Sequence, residues 1–178
     1  LLNGFGVILA DDMGLGKTII ALTSFLRLHN YKVKKVLIIA PLNVAKNVWS
    51  NEIGKWEHTK HLTYSICCGN EKERLENLKK ECNIYIINQE NIEWMRDQGF
   101  DKYGMIIVDE SHKFKNHGSS RFKALKKFTY KYIVLLSGTP IPQGYADMWS
   151  QQFLIDKGEA LGHNITTYRS MYFRPNIN

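Results

Sequence analysis

Two residue groups in this chain have the types and spacing of working chemistry: Gly14-Leu15-Gly16-Lys17-Thr18 and Asp109-Glu110. Glycines before a lysine and a hydroxyl suit a phosphate. They let backbone amides turn towards the anion, the lysine reaches the β- and γ-phosphates, and the hydroxyl holds Mg²⁺. The usual phosphate loop has a glycine five residues before Gly16, and here that place is taken by Asp11. A Gly-Lys-Thr tripeptide also arises by chance, so the strand before it and the helix behind it have to support the reading.

Asp109 and Glu110 follow four apolar residues, Met105 to Val108. At the end of a strand, Asp109 would hold Mg²⁺ through water, and Glu110 would orient and deprotonate an attacking water. Adjacent carboxylates can equally form a solvated turn or cap a helix. Together with the lysine loop they fit phosphoryl transfer to water better than transfer to a bound hydroxyl. A third group, Ser137-Gly138-Thr139-Pro140, places two hydroxyls beside a glycine. They could hydrogen-bond to the D-E-S-H segment at 109–112 and sense the outer phosphate, although the same tetrapeptide is an ordinary turn.

These groups need elements to carry them. Val7–Ala10, Val36–Ala40, Ile84–Ile87, Met105–Val108 and Ile133–Leu136 are short, continuously apolar runs, and Leu62–Cys67 is a further strand candidate. Between them lie helical stripes over Ile19–Leu28, Val44–Trp56 and Tyr145–Leu154, with a charged surface helix at Glu71–Lys80. Apolar strands alternating with helices predict an α/β fold: a parallel β-sheet with helices on both faces. Ligands of such sheets collect at the carboxyl ends of the strands. The residues that follow those ends are D-D-M-G-L-G-K-T, P-L-N, N-Q-E-N, D-E-S-H and S-G-T-P, so one sheet edge is predicted to be a site.

The totals bound the class. With 178 residues, 44% hydrophobic and 23% charged, the chain can bury one good core and is not expected to be disordered. No apolar run approaches a membrane span and no signal peptide opens the chain. Cys67, Cys68 and Cys82 lack C-x-x-C spacing, which favours a reducing, cytoplasmic setting. His58 and His61 read as surface histidines, since no further ligands stand at zinc spacing. The net charge is +7, and seven basic residues fall between Lys113 and Lys131 with no acidic residue among them. That block reads equally as a solvated face or as the footprint of a polyanion.

L-A-D-D-M-G-L-G-K-T, D-E-S-H-K-F-K-N and L-S-G-T-P-I-P-Q, in that order, resemble the first RecA-like lobe of the Swi/Snf-type ATPases, DNA translocases of helicase superfamily two. That family's first motif reads D-[DE]-M-G-L-G-K-T, which makes Asp11 the family's own form of the loop. The resemblance implies a RecA-like P-loop NTPase lobe over residues 1–178, with 155–178 as its C-terminal extension. It implies ATP-phosphate binding by Met13, Gly14, Leu15, Gly16, Lys17 and Thr18, and Mg²⁺ at Thr18 and Asp109. Lys17, Asp109 and Glu110 would be catalytic. His112, Ser137, Gly138 and Thr139 would couple nucleotide state to DNA.

Candidate DNA contacts by the same resemblance are Pro41, Leu42, Asn43 and Lys46 after the second strand, Asn88 after Ile87, and Lys113, Lys115 and Asn116 in the basic block. The last segment matches the family's D-E-A-H-x-x-K-N-x-x-S-x-x-x-x-A-L pattern at Lys115, Asn116, Ser119, Ala124 and Leu125. I-I-N-Q-E-N at 86–91 departs from the family's usual T-S-Y-E-like segment. The chain's end resembles a bacterial or phage branch. There Tyr168, Tyr172 and Phe173 alternate with Arg169 and Arg174, which suits packing on the lobe better than stacking on bases.

The adenine-reading glutamine segment and the second lobe with its arginine finger are expected outside these residues, in a longer parent. The chain alone is expected to be monomeric, without a membrane partner, and to hydrolyse ATP slowly or not at all. Its partners would be double-stranded DNA and the second lobe. The alternatives are a strand-separating DNA or RNA helicase of the same superfamily and a catalytically inert nucleic-acid-binding module.

Overall fold

The computed structural model describes residues 6–29 and 33–173. Six strands form one parallel sheet: β1 (Gly6–Ala10), β2 (Val36–Ala40), β3 (Tyr64–Ile66), β4 (Ile84–Asn88), β5 (Lys102–Val108) and β6 (Thr129–Ser137), in the order β1-β6-β5-β2-β4-β3. The helices are α1 (Lys17–His29), α2 (Trp49–Lys55), α3 (Glu71–Lys79), α4 (Ile92–Asp97), α5 (Ser120–Leu125), α6 (Met148–Asp156) and α7 (Ile165–Tyr172).

Side chains alternate across a strand, and this divides the core in two. Val36, Ile38, Ile84, Ile86, Met105, Ile107 and Val134 pack against α1 and α2 through Leu22, Phe25, Trp49 and Ile53. Leu37, Ile39, Ile87, Ile106, Val108, Ile133 and Leu135 face the other way, onto α4, α5, α6 and α7. The central strands are apolar on both sides because both sides are covered, which is why they appear in the sequence as unbroken runs.

β5 and β6 extend further than their apolar runs. Their first residues pair as Lys102 with Thr129 and Tyr103 with Tyr130, and much of that portion is exposed, so its composition is polar. The third strand is shorter than the strand candidate at Leu62–Cys67. The helix expected from Tyr145 opens as a 3₁₀ turn at Tyr145–Asp147 before α6. The charged helix is α3, begun by a capping box in which Asn70 accepts from the Glu73 amide and Glu73 accepts from the Asn70 amide. Three helices, α4, α5 and α7, add to the expected set. In α5 the basic Arg121 and Lys123 interrupt an apolar set of Phe122, Ala124 and Leu125, all buried.

Of the C-terminal aromatics, Tyr168 packs on the lobe, while Tyr172 and Phe173 stay exposed. Tyr168 of α7 is buried, donates its hydroxyl to the Tyr145 carbonyl at 2.8 Å, and meets the rings of Tyr172 and Phe173. Arg174 lies outside the described residues.

Register sets the working edge. Ala10 pairs with Ser137, Leu135 with Val108, Val108 with Ile39, and Ala40 with Asn88. The loops that follow β1, β6, β5, β2 and β4 therefore leave the sheet within a residue or two of one level. Ile107, wholly buried on β5, holds this register from beneath. Ile107→Ala is expected to cost about 2–5 kcal/mol, from lost burial plus the cavity left behind. Thermal unfolding of the chain would show this as a clearly lowered midpoint.

Candidate functional site

The loop from Asp11 to Gly16 reverses the chain between β1 and α1. Gly14 and Gly16 adopt φ of 83° and 80°, the left-handed region where a side chain is strained. Asp11 does not share that conformation, since Glu110 and Lys157 are the non-glycine residues with positive φ among those described. The position therefore places no conformational demand for glycine. Asp11 contributes its carbonyl instead. Lys17 Nζ donates to the carbonyls of Asp11 at 2.6 Å and Asp12 at 2.8 Å, so its ammonium lies inside the loop. Behind it Ile20 N–H bonds to the Gly16 carbonyl at 3.1 Å and α1 runs on.

Asp109 stands at the end of β5 and is held at every polar atom. Its amide donates to the Ile39 carbonyl at 2.8 Å, and its carbonyl accepts from Gln89 Nε2 at 2.7 Å. Its carboxylate accepts from Trp49 Nε1 at 3.1 Å on Oδ2 and from the Glu110 amide at 3.0 Å on Oδ1. Burial lifts the Asp109 carboxyl above the ordinary aspartate range; the Trp49 indole partly offsets that. The next residue, Glu110, sits at φ 51° and ψ 51°, a left-handed conformation uncommon for a residue with a side chain. This turn swings its carboxylate to His112, whose Nδ1 lies 3.2 Å from Glu110 Oε2 and 3.1 Å from Ser137 Oγ. Ser137 Oγ in turn accepts from the Thr139 amide at 3.1 Å.

The D-E-S-H and S-G-T-P loops are tied a second time. Ser111 Oγ donates to Gln151 Oε1 at 2.8 Å, and Gln151 Nε2 donates to the Pro140 carbonyl. Ser111 and Gln151 are both fully buried.

A cleft of about 590 Å³ gathers Met13 through Thr18, Asp109, Glu110 and Gly138, with Val48, Glu52 and Trp56 forming its far wall. The candidate phosphate, metal and carboxylate residues therefore share one cavity. His112, Ser137 and Thr139 stand behind it as a hydrogen-bonded chain. Asn43, Lys46, Lys113 and Asn116 are exposed away from the cleft, as is Leu42, while Pro41 is half-buried. Lys115 is also half-buried and pairs with Asp147 at 3.4 Å. Asn88 differs from its expected role as an outward contact. It is buried, and its amide group is engaged by Glu90 and Asn91, so it shapes the loop after β4.

Trp49, Gln89 and Gln151 did not stand out in the sequence. The available signal for Trp49 was that a buried indole N–H needs an acceptor; Gln89 and Gln151 carry no comparable one.

The residues present fit Mg²⁺ with a phosphate ligand. Among the described residues no group of three or more His, Cys, Asp or Glu side chains could hold a metal ion by itself. Mg²⁺ bound beside phosphates takes one or two protein ligands and otherwise water. Asp109 opens into the same cleft as Thr18 with carboxylate lone pairs still free.

The SNF2-related domain profile matches residues 2–171. A protein called p41, from Acyrthosiphon pisum secondary endosymbiont phage 1, is 35% identical over 174 residues, which is 91% of this chain and 38% of that protein. The DNA repair and recombination protein RAD54-like of Danio rerio is 30% identical over 88% of this chain and 23% of its own length. Among solved structures, the Sulfolobus solfataricus SWI2/SNF2 ATPase core in complex with dsDNA superposes with a TM-score of 0.79 at 30% identity, over 94% of this chain and 34% of that one. The chain thus spans less than two fifths of each of these relatives.

The buried carboxylate generates a prediction. Because its folded pKa is raised, the charged form of Asp109 destabilises the nucleotide-free chain as pH rises through that pKa. Asn offers one acceptor where the carboxylate offers two, to the Trp49 indole and the Glu110 amide, so the clean signature of Asp109→Asn is its pH dependence and not its absolute midpoint. Relative to the wild type, the midpoint of Asp109→Asn is expected to be higher at neutral pH than at mildly acidic pH, where the wild-type carboxyl is itself protonated. Paired melting curves at the two pH values check this; a difference that does not change with pH would contradict it.

Proposed function

The chain belongs to the SNF2-related domain family, and on that footing we propose that it is the ATP-binding motor lobe of a DNA-dependent ATPase that tracks along double-stranded DNA. The observation that carries this is the single cleft lined by Lys17, Thr18, Asp109 and Glu110. Its fold is that of the SWI2/SNF2 ATPase core.

In this reading the amides of the 13–18 loop face the phosphates of ATP. Lys17 exchanges its two carbonyl partners for phosphate oxygens, which leaves the loop free to close on the nucleotide. The Thr18 hydroxyl and, through water, the Asp109 carboxylate hold Mg²⁺, which when bound neutralises charge on the outer phosphates. Glu110 takes the proton of the attacking water at its carboxylate. His112 Nδ1 fixes that carboxylate from behind and passes its state to Ser137, and so to the S-G-T-P loop.

Duplex DNA lies in the solved complex of the archaeal relative, and this supports the same partner here. The contacts would be to the phosphate backbone, from the exposed ends of the loops after β2 and β5, without sequence preference. A second RecA-like lobe in the same polypeptide would close the nucleotide cleft and supply an arginine. Among the described residues no helix is long and apolar enough to cross a membrane. Similarity to a phage protein supports a phage- or bacterially encoded motor; an intracellular setting and a monomeric lobe complete the reading.

The deciding experiment is ATP hydrolysis by the complete protein without nucleic acid and with duplex DNA, single-stranded DNA or RNA. Strong stimulation by duplex is expected. Stimulation by single strands or RNA alone would give the strand-separating helicase instead, and no turnover with any of them would give an inert binding module. Within the active protein, Glu110→Gln should keep Mg-ATP binding and lower turnover by about 10²-fold or more. Lys17→Ala should weaken Mg-ATP binding by about tenfold or more, as the loss of a charge-assisted contact. Equilibrium binding of a fluorescent ATP analogue separates the two effects.

A further inference from the structure

Asp109 has two partners that the reaction does not require, and they arrive from two different loops. Trp49 reaches its carboxylate from α2, and Gln89 reaches its carbonyl from the turn after β4. Both side chains are fully buried, so neither can touch a ligand directly. Yet each is carried by a segment whose outer side is exposed. The segment that leads into α2 presents Leu42, Asn43 and Lys46 to solvent, and the turn after β4 presents Glu90.

The backbone between Lys46 and Trp49 is unusual. Val44–Val48 is a π-turn, in which the Trp49 amide bonds back to the Val44 carbonyl, five residues earlier. Widening one turn by a residue resets the angular position of everything after it by roughly 100°. That places the Trp49 indole under Asp109 while Lys46 stays outside. π-turns are rare and cluster at functional sites, and this one stands between the exposed segment that carries Lys46 and the candidate metal carboxylate.

We propose that Trp49 and Gln89 are positioning residues for Asp109, tying the metal-binding carboxylate to the segments after β2 and β4, the first of which carries proposed duplex contacts, so that duplex binding and Mg²⁺-nucleotide binding strengthen each other. The inference rests on the function proposed above. By linkage, the factor by which duplex tightens Mg²⁺-nucleotide binding equals the factor by which Mg²⁺-nucleotide tightens duplex binding. Losing either tie should reduce both factors together, without touching phosphate binding at the 13–18 loop.

The test is calorimetric binding of ADP to the complete protein, with Mg²⁺ and with a chelator, and each with and without duplex DNA. Trp49→Phe keeps the buried ring and removes only the N–H donor. It is expected to leave metal-free ADP affinity within about twofold and to cut the Mg²⁺-dependent gain by about tenfold, the size of one hydrogen bond to a charged group. The duplex-dependent gain seen in the wild type should fall with it. Trp94→Phe, whose indole bonds to Glu71 far from the cleft, should behave as wild type. Gln89→Met supplies an independent second variant with the same expected signature, and it decides the question if Trp49→Phe does not fold.

A wild-type Mg²⁺ gain in the folded variants, or a Mg²⁺ gain in the wild type that duplex does not change, overturns the inference. An equal loss in Trp94→Phe overturns it as well. Because these readouts are binding constants, they stand apart from the ATPase assay. A protein that hydrolyses ATP with duplex but keeps its Mg²⁺ gain in Trp49→Phe refutes the positioning role alone.

Discussion

All six strands run in the same direction, and the rest of the molecule depends on that constraint. A parallel sheet delivers every strand's carboxyl end to one edge, and there the register of β1, β6, β5 and β2 decides which residues can meet. Lys17 and Asp109 are 92 positions apart in sequence (109 − 17), yet they line one cleft because β1 and β5 are separated by a single strand. A slip of one residue between β5 and β6 would send Asp109 and its neighbours to the opposite face. The buried aliphatic side chains on both faces prevent it. The core thus stabilises the fold and sets the geometry of the cleft with the same contacts.

Against that rigid background Glu110 is strained at the working edge, as Lys157 is at the end of α6. A left-handed conformation at a residue with a side chain costs on the order of 1–3 kcal/mol and persists only where its surroundings over-determine it. Glu110 meets that condition. Its amide is fixed by the Asp109 carboxylate, its carboxylate by His112, and the following turn by the Ser111–Gln151 bond and by the Lys113 amide on the Glu110 carbonyl. Relaxing Glu110 into an ordinary conformation would break several of these at once. The strain keeps the carboxylate in the cleft instead of in solvent beyond the end of β5.

Much of this could be read from the sequence, for identifiable reasons. The central strands were legible because burial on both faces leaves continuous apolar runs. The phosphate loop was legible because only glycine is at ease at the φ of positions 14 and 16. The loops after the strands were legible as a set because a parallel sheet leaves no other place for a site. Residues that act through buried hydrogen bonds to distant loops were not legible. Gln151 looks like one polar residue on an amphipathic helix, and Trp49 looks like part of an apolar stripe. Their importance lies in what they face, which is fixed by crossovers and by a π-turn that no periodicity reveals. Asn88 shows the converse: polar and at a strand end, it suggested an outward contact, whereas it closes its own loop.

The basic block at 113–131 shows how far charge counts can be carried once side chains are placed. Phe114, Phe122, Leu125 and Phe128 are buried from the same stretch, so the block is amphipathic and its lysines are in part the solvated face of a packed element. Lys115 is neutralised by Asp147, and Lys126 lies over the Phe153 ring at 4.3 Å. Lys131 lies over Tyr132 at 5.3 Å, at the opposite end of β6 from Ser137. A polyanion at the working edge would therefore meet Lys113 and the exposed Asn116 beside it, together with Lys46 from the neighbouring loop, and not a continuous track of seven charges. On the proposed function, few contacts would give this lobe taken alone a shallow salt dependence, since each phosphate neutralised adds about one to the slope of log affinity against log salt. A grip strong enough for stepping would then come from both sides of the duplex. The mechanical demand would fall on the coupling between the proposed nucleic-acid loops and the cleft, and much less on raw affinity at this surface.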